Sequence, residues 1–545
     1  MMMKELKPLD RKAMFAEIDS GKEFDIVIIG GGASGLGVAV DASSQGYSVC
    51  LVEAQDFAAG TSSRSTKLIH GGVRYMQNPH DWGLVFEALR ERELLLKLVP
   101  NLVHKNPFIL PCYRWYEKAF YGLGLTFYTM MAKFSSGDAG SLSILSKQET
   151  LEKLPGIKAE GLYGGVRFYD AQFDDARMAI ALMHTAVAHG AVCLNYVACD
   201  GFNHTDEKIE SMIVEDKETG EKHTVKGKMF FNCAGPWVDE VRKLTGKKDV
   251  KPFVKAARGS HIILDLKKFG NPKEGMFIPK TSDGRVLFCL PWHGMLEVGT
   301  TDLPEPVPVN MDPKISDQEI DFMMANCNNY LKTKVTREDI LATFVGVRPL
   351  YTPANASASG GKTAKVSREH AIIPEFGNML TITGGKWTAY RNMAEHAMKV
   401  AAEKGLIPSS HTITTKLPLT VDTAFDAEAI EMRAAQAEKV EDVVDDVVAF
   451  AIAAYRVGKR HIPAPLPACA QGHQNFVLDA PRRVCPQRRS RCGFEAVHRL
   501  NQPNHADGNQ VVRAVAGNLV LPRNVAHQTQ VVRNQLLPRV VIARI

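Results

Sequence analysis

The apolar and polar positions first form a regular pattern near the N-terminus. An unbroken apolar run over residues 26–29 ends at a glycine cluster, and a helically spaced segment then leads to a second apolar run that ends at Glu53. Apolar runs joined through a glycine turn and a helix are typical of a βαβ unit in a buried parallel sheet. The pattern therefore predicts that a doubly wound sheet begins here.

Helix and strand patterns alternate along most of the remaining chain. A charged amphipathic helix is predicted over 79–100, a helix closed by Gly190 precedes another strand, and strand–turn–helix patterns occupy 228–246 and 378–405. Between 251 and 344 the signals are short strands and turns, which indicates a sheet-rich insertion.

The fold class predicted is α/β (α+β overall), a Rossmann-type nucleotide-binding domain interrupted by a sheet-rich substrate domain. The nucleotide-binding domain is expected to be discontinuous, over residues 22–110, 165–250 and 345–405. The substrate domain is expected over residues 111–164 and 251–344.

Segment 456–545 differs in kind from the rest. It carries fourteen Lys and Arg against three acids, whereas the whole chain has a formal net charge of +6. It shows no sustained helical or strand period. A nucleic-acid-binding arm is one interpretation, but a disordered tail or an out-of-frame translation fits the composition better. We assign no function to it and expect no nucleic acid as a partner.

Composition narrows the class of protein. With 545 residues, 45% hydrophobic and 23% charged, the chain is globular and large enough for two or three domains. No apolar run approaches the roughly 18–20 residues that span a bilayer, and the N-terminal segment lacks the apolar core of a secretion signal. Ten scattered cysteines predict reduced thiols, no metal site and a cytoplasmic location.

Three glycines after the first strand, Gly30, Gly32 and Gly35, form GxGxxG. The first permits a tight turn, the second a close approach of a pyrophosphate, and the third the packing of helix on strand. Glu53 at the end of the second strand is placed to accept hydrogen bonds from an adenosine ribose, and its charge argues against a 2′-phosphate. The sequence therefore predicts a dinucleotide site.

FAD is favoured over NAD by two further features. Five hydroxyl residues follow Glu53 within one loop, and a second glycine turn lies far downstream, as an extended FAD requires. We expect Ser62, Ser63, Ser65 and Thr66 to hydrogen-bond the pyrophosphate and ribityl chain, Lys67 to supply charge, and Gly71 and Gly72 to let the backbone lie near the flavin ring.

Six separated motifs carry a resemblance to a known family. They are the segment over 25–76 and the motifs GSHIILD, LEVGTTD, GVRPL, VSREH and TGGKWTAYR. Over residues 24–405 the chain resembles the FAD-dependent glycerol-3-phosphate dehydrogenases of the respiratory, quinone-linked type. The resemblance implies a fold like that of the glycine oxidase and D-amino-acid oxidase flavoproteins, and a helical C-terminal region beginning in 406–455.

The resemblance also implies a reaction and its cofactor site. Such enzymes oxidise sn-glycerol 3-phosphate to dihydroxyacetone phosphate by hydride transfer to flavin N5 and pass the electrons to quinone. The cofactor-binding residues implied are Gly30, Gly32, Ser34, Gly35, Glu53, Thr61, Ser62, Ser63, Ser65, Lys67, His70, Gly72, Ala234, Gly235, Gly384, Gly385 and Lys386.

A phosphorylated substrate needs cations, and arginine presents a planar fork that matches phosphate oxygens. By resemblance, Arg348 and Arg368 are expected on the phosphate, and Arg74, Tyr75 and Lys386 in the pocket beside the flavin. Of these, Arg74, Arg348 and Lys386 are also expected to act in catalysis.

Oxidation at carbon 2 also requires removal of the hydroxyl proton, and histidine suits that role near neutral pH. His261 is our first choice for the base, and His70 is expected against the flavin. Alternatively, a neighbouring cation stabilises the alkoxide while water takes the proton.

Segment 114–134 combines aromatic and apolar residues with Arg114, Lys118 and Lys133. It predicts either an interfacial helix on anionic lipid or a core helix with charged ends. The first alternative agrees with a quinone acceptor and a peripheral position on the inner face of the cytoplasmic membrane; the resemblance also leaves room for a homodimer.

Three other functions compete with this hypothesis. A glycerol-3-phosphate oxidase would use oxygen and release hydrogen peroxide. An amino-acid oxidase of the same fold would need one carboxylate-binding arginine rather than a cluster of cations. A non-catalytic flavoprotein would bind FAD without reacting with substrate.

Overall fold

The computed structural model describes residues 9–73, 82–136, 140–247, 250–352 and 369–420, without the side chains of 135 and 136. Of the region 406–455, predicted as the start of a helical domain, residues 406–420 are described and contain turns and bends but no helix. The rest of it, 421–455, and the predicted basic tail, 456–545, lie outside the described residues.

The secondary structure of the described residues alternates between helices and strands as far as Glu403. The α-helices are α1 (Arg11–Asp19), α2 (Ala33–Ser44), α3 (Trp82–Leu98), α4 (Glu117–Ser136), α5 (Lys147–Lys153), α6 (Asp175–Ala188), α7 (Val238–Lys243), α8 (Asp317–Tyr330) and α9 (Tyr390–Glu403). The strands are β1 (Glu23–Ile29), β2 (Val49–Val52), β3 (Leu68–Ile69), β4 (Val103–Cys112), β5 (Ser143–Leu145), β6 (Gly164–Phe173), β7 (Val192–Leu194), β8 (Val197–His204), β9 (Ile209–Asp216), β10 (Lys222–Asn232), β11 (Val254–Asp265), β12 (Gly275–Ile278), β13 (Leu287–Trp292), β14 (Met295–Gly299), β15 (Leu303–Pro304), β16 (Ile340–Tyr351), β17 (His370–Glu375) and β18 (Met379–Gly384).

The first sheet has the order β17-β18-β10-β1-β2-β7, and β9 and β8 extend it from β10. Strands β18, β10, β1, β2 and β7 run parallel to one another. The side chains of residues 26–29 in β1 are buried on both faces of the sheet, which explains their unbroken apolar run. Helices α2, α6 and α9 share one apolar core with this sheet. The predicted βαβ unit and α/β class are confirmed.

The second sheet is mostly antiparallel, with the order β15-β11-β14-β13-β12-β4-β6-β3, and β16 and β5 pair with β11 and β6. Its core packs against α8. Strands β4, β6 and β16, which fall near the predicted domain boundaries, all belong to this sheet. The division into domains stays a prediction.

The parallel strands of the first sheet bring distant turns to one edge. Gly30 follows β1, Glu53 follows β2, Ala234 and Gly235 follow β10, and Gly384 ends β18. Because β18, β10, β1 and β2 are neighbours and parallel, these turns meet at the carboxyl edge, where open α/β sheets bind their ligands.

Candidate active site

The first glycine turn closes tightly against β10 and α2. Gly30 has a φ of +110°, and a Cβ atom on it would lie 2.5 Å from the carbonyl oxygen of Cys233. A Cβ atom on Gly35 would overlap the carbonyl oxygen of Gly30. The left-handed backbone at Gly30 and the close approach at Gly35 therefore both require glycine.

Gly32 leaves space in front of this turn, at the N-terminus of α2. Its backbone is extended, with φ −85° and ψ −175°, and it caps α2 without a side chain. Among the described residues, a Cβ atom on Gly32 would meet the hydroxyl of Ser62 at 3.1 Å and nothing else within 4 Å. The N-terminus of α2, which includes the half-buried Ser34, thus offers amides and a positive helix end. These residues fit the pyrophosphate of FAD.

Glu53, at the end of β2, stabilises the first glycine turn through its carboxylate. Its carboxylate accepts hydrogen bonds from the amides of Gly31 at 2.6 Å and Gln55 at 2.8 Å. A carboxylate has about four acceptor positions, so the two remaining positions suit ribose hydroxyls. The ribose contact stays a prediction.

The hydroxyl-rich loop over 61–67 connects both sheets. Thr61 donates to the carbonyl of Val347 in β16 at 2.5 Å, and the Ser62 hydroxyl accepts from the Ala33 amide of α2 at 2.9 Å. The indole of Trp387, just after the second glycine turn, donates to the Ser62 carbonyl at 2.8 Å. The two glycine turns expected to hold FAD are therefore joined through this loop.

Lys67 is buried and its charge is balanced within the protein. Its ammonium lies 2.9 Å from both carboxylate oxygens of Asp175 and 2.7 Å from the carbonyl of Ser63. Ser65 donates its hydroxyl to the same carboxylate at 2.7 Å. The predicted contacts of Ser63, Ser65 and Lys67 with a cofactor stay predictions, and in the structure these groups shape the loop.

The loop continues through His70 to a glycine pair. The amide of Gly71 donates to the hydroxyl of Tyr128 in α4 at 2.9 Å, and Gly72 has a φ of +82°. The ring of His70 lies 6.4 Å from that of Phe288 in β13. The contact of His70 with flavin stays a prediction.

The other two turns at the carboxyl edge also depend on left-handed glycines. Gly235 has a φ of +56°, Gly384 of +74° and Gly385 of +76°. Ala234 precedes the first of these, and Lys386, half-buried, follows the second. These turns fit a cofactor that lies along the edge, because they keep bulky side chains off the backbone.

One face of the second sheet looks towards the loop over 61–67. In the antiparallel ladder, His261 of β11 lies opposite Gly299 of β14 and Phe344 of β16, and Arg348 lies four residues beyond Phe344. Directly opposite residues share a face, as do alternate residues along a strand. His261 and Arg348 therefore project from the same face.

Glycines make room for these two side chains. A Cβ atom on Gly299 would overlap the imidazole of His261, and one on Gly259 would overlap the guanidinium of Arg348. This close approach explains glycine in the interior of β11 and at the end of β14, because glycine otherwise weakens a strand.

His261 is buried, with 2% of its surface exposed. Its ring stacks on Phe344 at 4.4 Å, and its Nε2 lies 2.9 Å from the hydroxyl of Thr66. Burial, followed by the positive charges of Lys67 and Arg348, holds the pKa of His261 well below its usual value. The imidazole is therefore neutral at physiological pH and able to accept a proton.

Arg348 is half-buried beside the loop after β14. Its guanidinium donates to Thr300, Thr301 and Asp302 over distances of 3.3–3.4 Å. These contacts are longer than the usual N–H···O distance. The guanidinium is thus oriented by the protein, in part through its ion pair with the carboxylate of Asp302.

Three predicted substrate residues, Arg74, Tyr75 and Arg368, lie outside the described residues. His261, Arg348 and the loop over 61–67 are brought together. Their contact with a substrate, and that of Lys386, stays a prediction.

The sequence reasoning missed two acidic residues of this region, Asp175 and Glu297. Both are buried. Glu297 had a signal, since it is a single acid within the otherwise apolar strand β14. No sequence signal distinguished Asp175, because it resembles any acid in the first turn of a helix, here α6.

The described ranges contain no group of His, Cys, Asp and Glu placed to hold a metal ion. Seven cysteines fall in these ranges, and each is a free thiol.

Known proteins are similar to this chain over most of its length. The family model of the FAD dependent oxidoreductases matches residues 25–391. The mitochondrial glycerol-3-phosphate dehydrogenase of Rattus norvegicus is 39% identical over 412 residues, which are 73% of this chain and 55% of that protein. The Arabidopsis thaliana relative is 39% identical over 414 residues, 72% of this chain and 63% of that protein. The chain thus spans about half to two-thirds of the length of these relatives.

Solved structures give the same result for the fold. The glycerol-3-phosphate dehydrogenase of Bacillus halodurans complexed with FAD is 25% identical, with a TM-score of 0.63 over 97% of this chain and 96% of that one. Glycine oxidase from Geobacillus kaustophilus, 16% identical, has a TM-score of 0.50 over 73% of this chain and 98% of that one, and shows the fold alone. The family match and the nucleotide-binding geometry together show that the chain belongs to the FAD dependent oxidoreductases, with FAD as its cofactor.

Proposed function

We propose that this protein oxidises sn-glycerol 3-phosphate to dihydroxyacetone phosphate and passes the electrons to a membrane quinone. The observation that carries the proposal is the pairing of a neutral, buried His261 with Arg348 on one sheet face, against the loop that joins the two glycine turns. The names of the relatives supply the substrate.

Each residue has a part that follows from its chemistry. FAD, when bound, accepts the hydride from carbon 2. His261, uncharged because it is buried, takes the hydroxyl proton. Arg348 offers two parallel N–H donors to the phosphate, together with Arg368 as predicted from the sequence. Arg74, Tyr75 and Lys386 are proposed to complete the pocket.

The first prediction tests this function directly. Under anaerobic conditions, glycerol 3-phosphate should bleach the flavin absorbance of the purified protein, and dihydroxyacetone phosphate should form in equal amount. Glycerol and inorganic phosphate serve as controls, because each lacks half of the recognised groups. A flavin that stays oxidised with glycerol 3-phosphate would contradict the proposal, and bleaching by an amino acid would point to an amino-acid oxidase.

The electron acceptor is decided in the same preparation. After reduction, a quinone analogue should reoxidise the flavin faster than air does, with little hydrogen peroxide. Stoichiometric peroxide would instead favour a glycerol-3-phosphate oxidase. The L-α-glycerophosphate oxidase of Mycoplasma pneumoniae shares the fold, at 18% identity and a TM-score of 0.52.

Helix α4 supports contact with a membrane. Its inner face is buried through Leu125, Tyr128, Met131 and Ala132. Its outer face is also apolar and exposed at a spacing of three and four residues, and consists of Phe120, Leu123, Phe127, Met130 and Phe134. Phe120, Leu123 and Phe134 are 67%, 77% and 83% exposed. A contiguous exposed apolar stripe of this kind marks an interaction surface.

We propose that the outer face of α4 lies in the lipid interface, on the inner face of the cytoplasmic membrane. No described helix is long and apolar enough to cross a bilayer. Lys133 is exposed and Lys118 half-buried at its flanks, where cations favour anionic lipid. A membrane position would bring the flavin protein to its quinone.

The second prediction concerns this surface. The double change Phe120→Glu and Leu123→Glu should weaken binding to anionic liposomes at least tenfold, because two charges would enter the lipid interface. Charge reversal of Lys118 and Lys133 should weaken it less. Leu244→Glu is the matched control, since Leu244 is an exposed apolar residue at the end of α7. Equal liposome binding by all variants would show that α4 does not contact lipid.

A further inference from the structure

A buried carboxyl group lies beside the candidate base. Glu297 of β14 has 0% of its surface exposed, and neither carboxyl oxygen has a hydrogen-bond partner among the described residues. Its Oε1 lies 3.6 Å from Nε2 of His261. Burial of a carboxylate without a hydrogen-bond partner is unfavourable, so a glutamate at this position calls for a function.

The register of the sheet explains why the two side chains meet. Glu297 lies opposite Ile263 in β11, and Gly299 lies opposite His261. Glu297 therefore belongs to the same face as His261, one pair further along the ladder. Gly299 carries no side chain to separate them, and Nε2 is the ring atom that faces both Glu297 and Thr66.

The charges around Glu297 are few. Lys67, from the loop before β3, and Asp175, from α6, form a buried ion pair, and His261 and Arg348 come from β11 and β16. Burial raises the pKa of Glu297 to about 8, with Lys67 acting in the opposite direction and Asp175 adding to the rise. A carboxyl with a pKa near the working pH is well matched to proton transfer.

We propose that Glu297 receives the substrate's hydroxyl proton from His261. This inference rests on the proposed function. In the step, the substrate O–H bond breaks, its proton binds one ring nitrogen of His261, and its electron pair forms the C=O bond. The hydrogen on carbon 2 leaves with the C–H electron pair as a hydride, for which bound FAD would be the acceptor. The Nε2 proton then moves to the carboxylate of Glu297, forming a carboxylic acid. No net charge is left on either side chain.

The geometry favours this direction of transfer. His261 Nδ1 is buried and has no hydrogen-bond partner among the described residues, so its lone pair is uncommitted, whereas Nε2 faces Glu297. An imidazolium held near Lys67 and Arg348 would be disfavoured by their charges. Transfer of the proton to Glu297 removes both the positive charge of the imidazolium and the negative charge of the unsolvated carboxylate. The 3.6 Å separation is just beyond hydrogen-bond range, and such contacts tighten in substrate complexes.

The third prediction compares Glu297→Gln with a matched glutamate variant. Anaerobic stopped-flow should show flavin reduction by glycerol 3-phosphate rising with pH in the unchanged protein, with a midpoint near 8. Glu297→Gln should be at least tenfold slower at pH 9 and should lose this rise. Glu319→Gln is the control, because Glu319 is equally buried but is hydrogen-bonded to Ser260, Thr301 and Ser316. We expect it to keep the rise.

A second measurement does not depend on rates. In a single anaerobic turnover at pH 9, the infrared difference spectrum should gain a protonated-carboxyl band in the unchanged protein and in Glu319→Gln, but not in Glu297→Gln. Retained FAD absorbance shows that each variant is folded, and Glu297→Leu replaces Glu297→Gln if the latter loses FAD.

The outcomes separate the two proposals. A flavin that glycerol 3-phosphate does not reduce at any pH would overturn the proposed function and this inference with it. A reduced flavin, together with an unchanged pH profile in Glu297→Gln and no new band, would overturn only the role of Glu297.

Discussion

Replacing His261 by glutamine should lower the rate of flavin reduction by glycerol 3-phosphate at least tenfold while FAD stays bound. Glutamine keeps a polar group of similar reach but cannot accept a proton at this pH. General-base catalysis contributes about 10²–10⁴-fold, so a tenfold loss is the smallest effect that agrees with a base. FAD should remain because its pyrophosphate is expected at the glycine turn after β1, whereas His261 lies in β11.

The measurement is anaerobic stopped-flow, with FAD content determined from the absorbance of each variant. His184→Gln is the control, because His184 is also buried but lies in α6 and has no part in the proposed mechanism. A rate for His261→Gln equal to that of the unchanged protein would remove His261 from the mechanism. It would favour the alternative in which a cation stabilises the alkoxide and water takes the proton.

Gly32→Val should yield a folded protein that retains no FAD through purification, with affinity for added FAD at least a hundredfold weaker. The backbone of Gly32 is extended, a conformation that valine adopts readily, so the change does not strain the backbone of the turn. The new Cβ atom would lie 3.1 Å from the Ser62 hydroxyl, which has to shift slightly. The branched side chain of valine would instead fill the space in front of α2, where the pyrophosphate is expected. Lost contacts with the phosphates and the helix end account for the large effect.

The affinity is measured by the quenching of FAD fluorescence, and the fold by circular dichroism. Gly83→Val is the matched control, because Gly83 is exposed in α3 and has no described atom within 4 Å of where its Cβ would lie. It should retain FAD. A yellow Gly32→Val protein with normal affinity would mean that the cofactor does not approach the backbone at Gly32.

The α/β class and the nucleotide turn could be predicted because both depend on local signals. A strand buried on both faces has to be apolar throughout, as residues 26–29 are, and the glycines at 30 and 35 are required by backbone conformation and contact. The second glycine turn was recognisable for the same reason. Domain boundaries are harder to predict, because nothing in the local sequence of β4, β6 and β16 indicates which sheet each strand joins.

The contacts of the hydroxyl-rich loop over 61–67 could not be predicted from its local sequence. Its composition predicts contacts with an anionic ligand, yet Thr61, Ser65 and Lys67 bond to residues 108 to 286 positions away. Such partners cannot be identified from the loop itself, because any hydroxyl can bond to a ligand or to the protein. Thr66 likewise meets His261 across 195 residues.

By itself, the sequence determined the cofactor class and the principal chemical groups, because backbone turns and residue types are properties of short segments. Only the tertiary structure decided which groups meet. Parallel strand order collected four turns at one edge, and β-ladder register placed Glu297 and His261 on one face. Pairing between distant strands is set by the packing of the whole sheet. For that reason, the proximity of Glu297, an isolated acid in an apolar strand, to His261 could be recognised only in the tertiary structure.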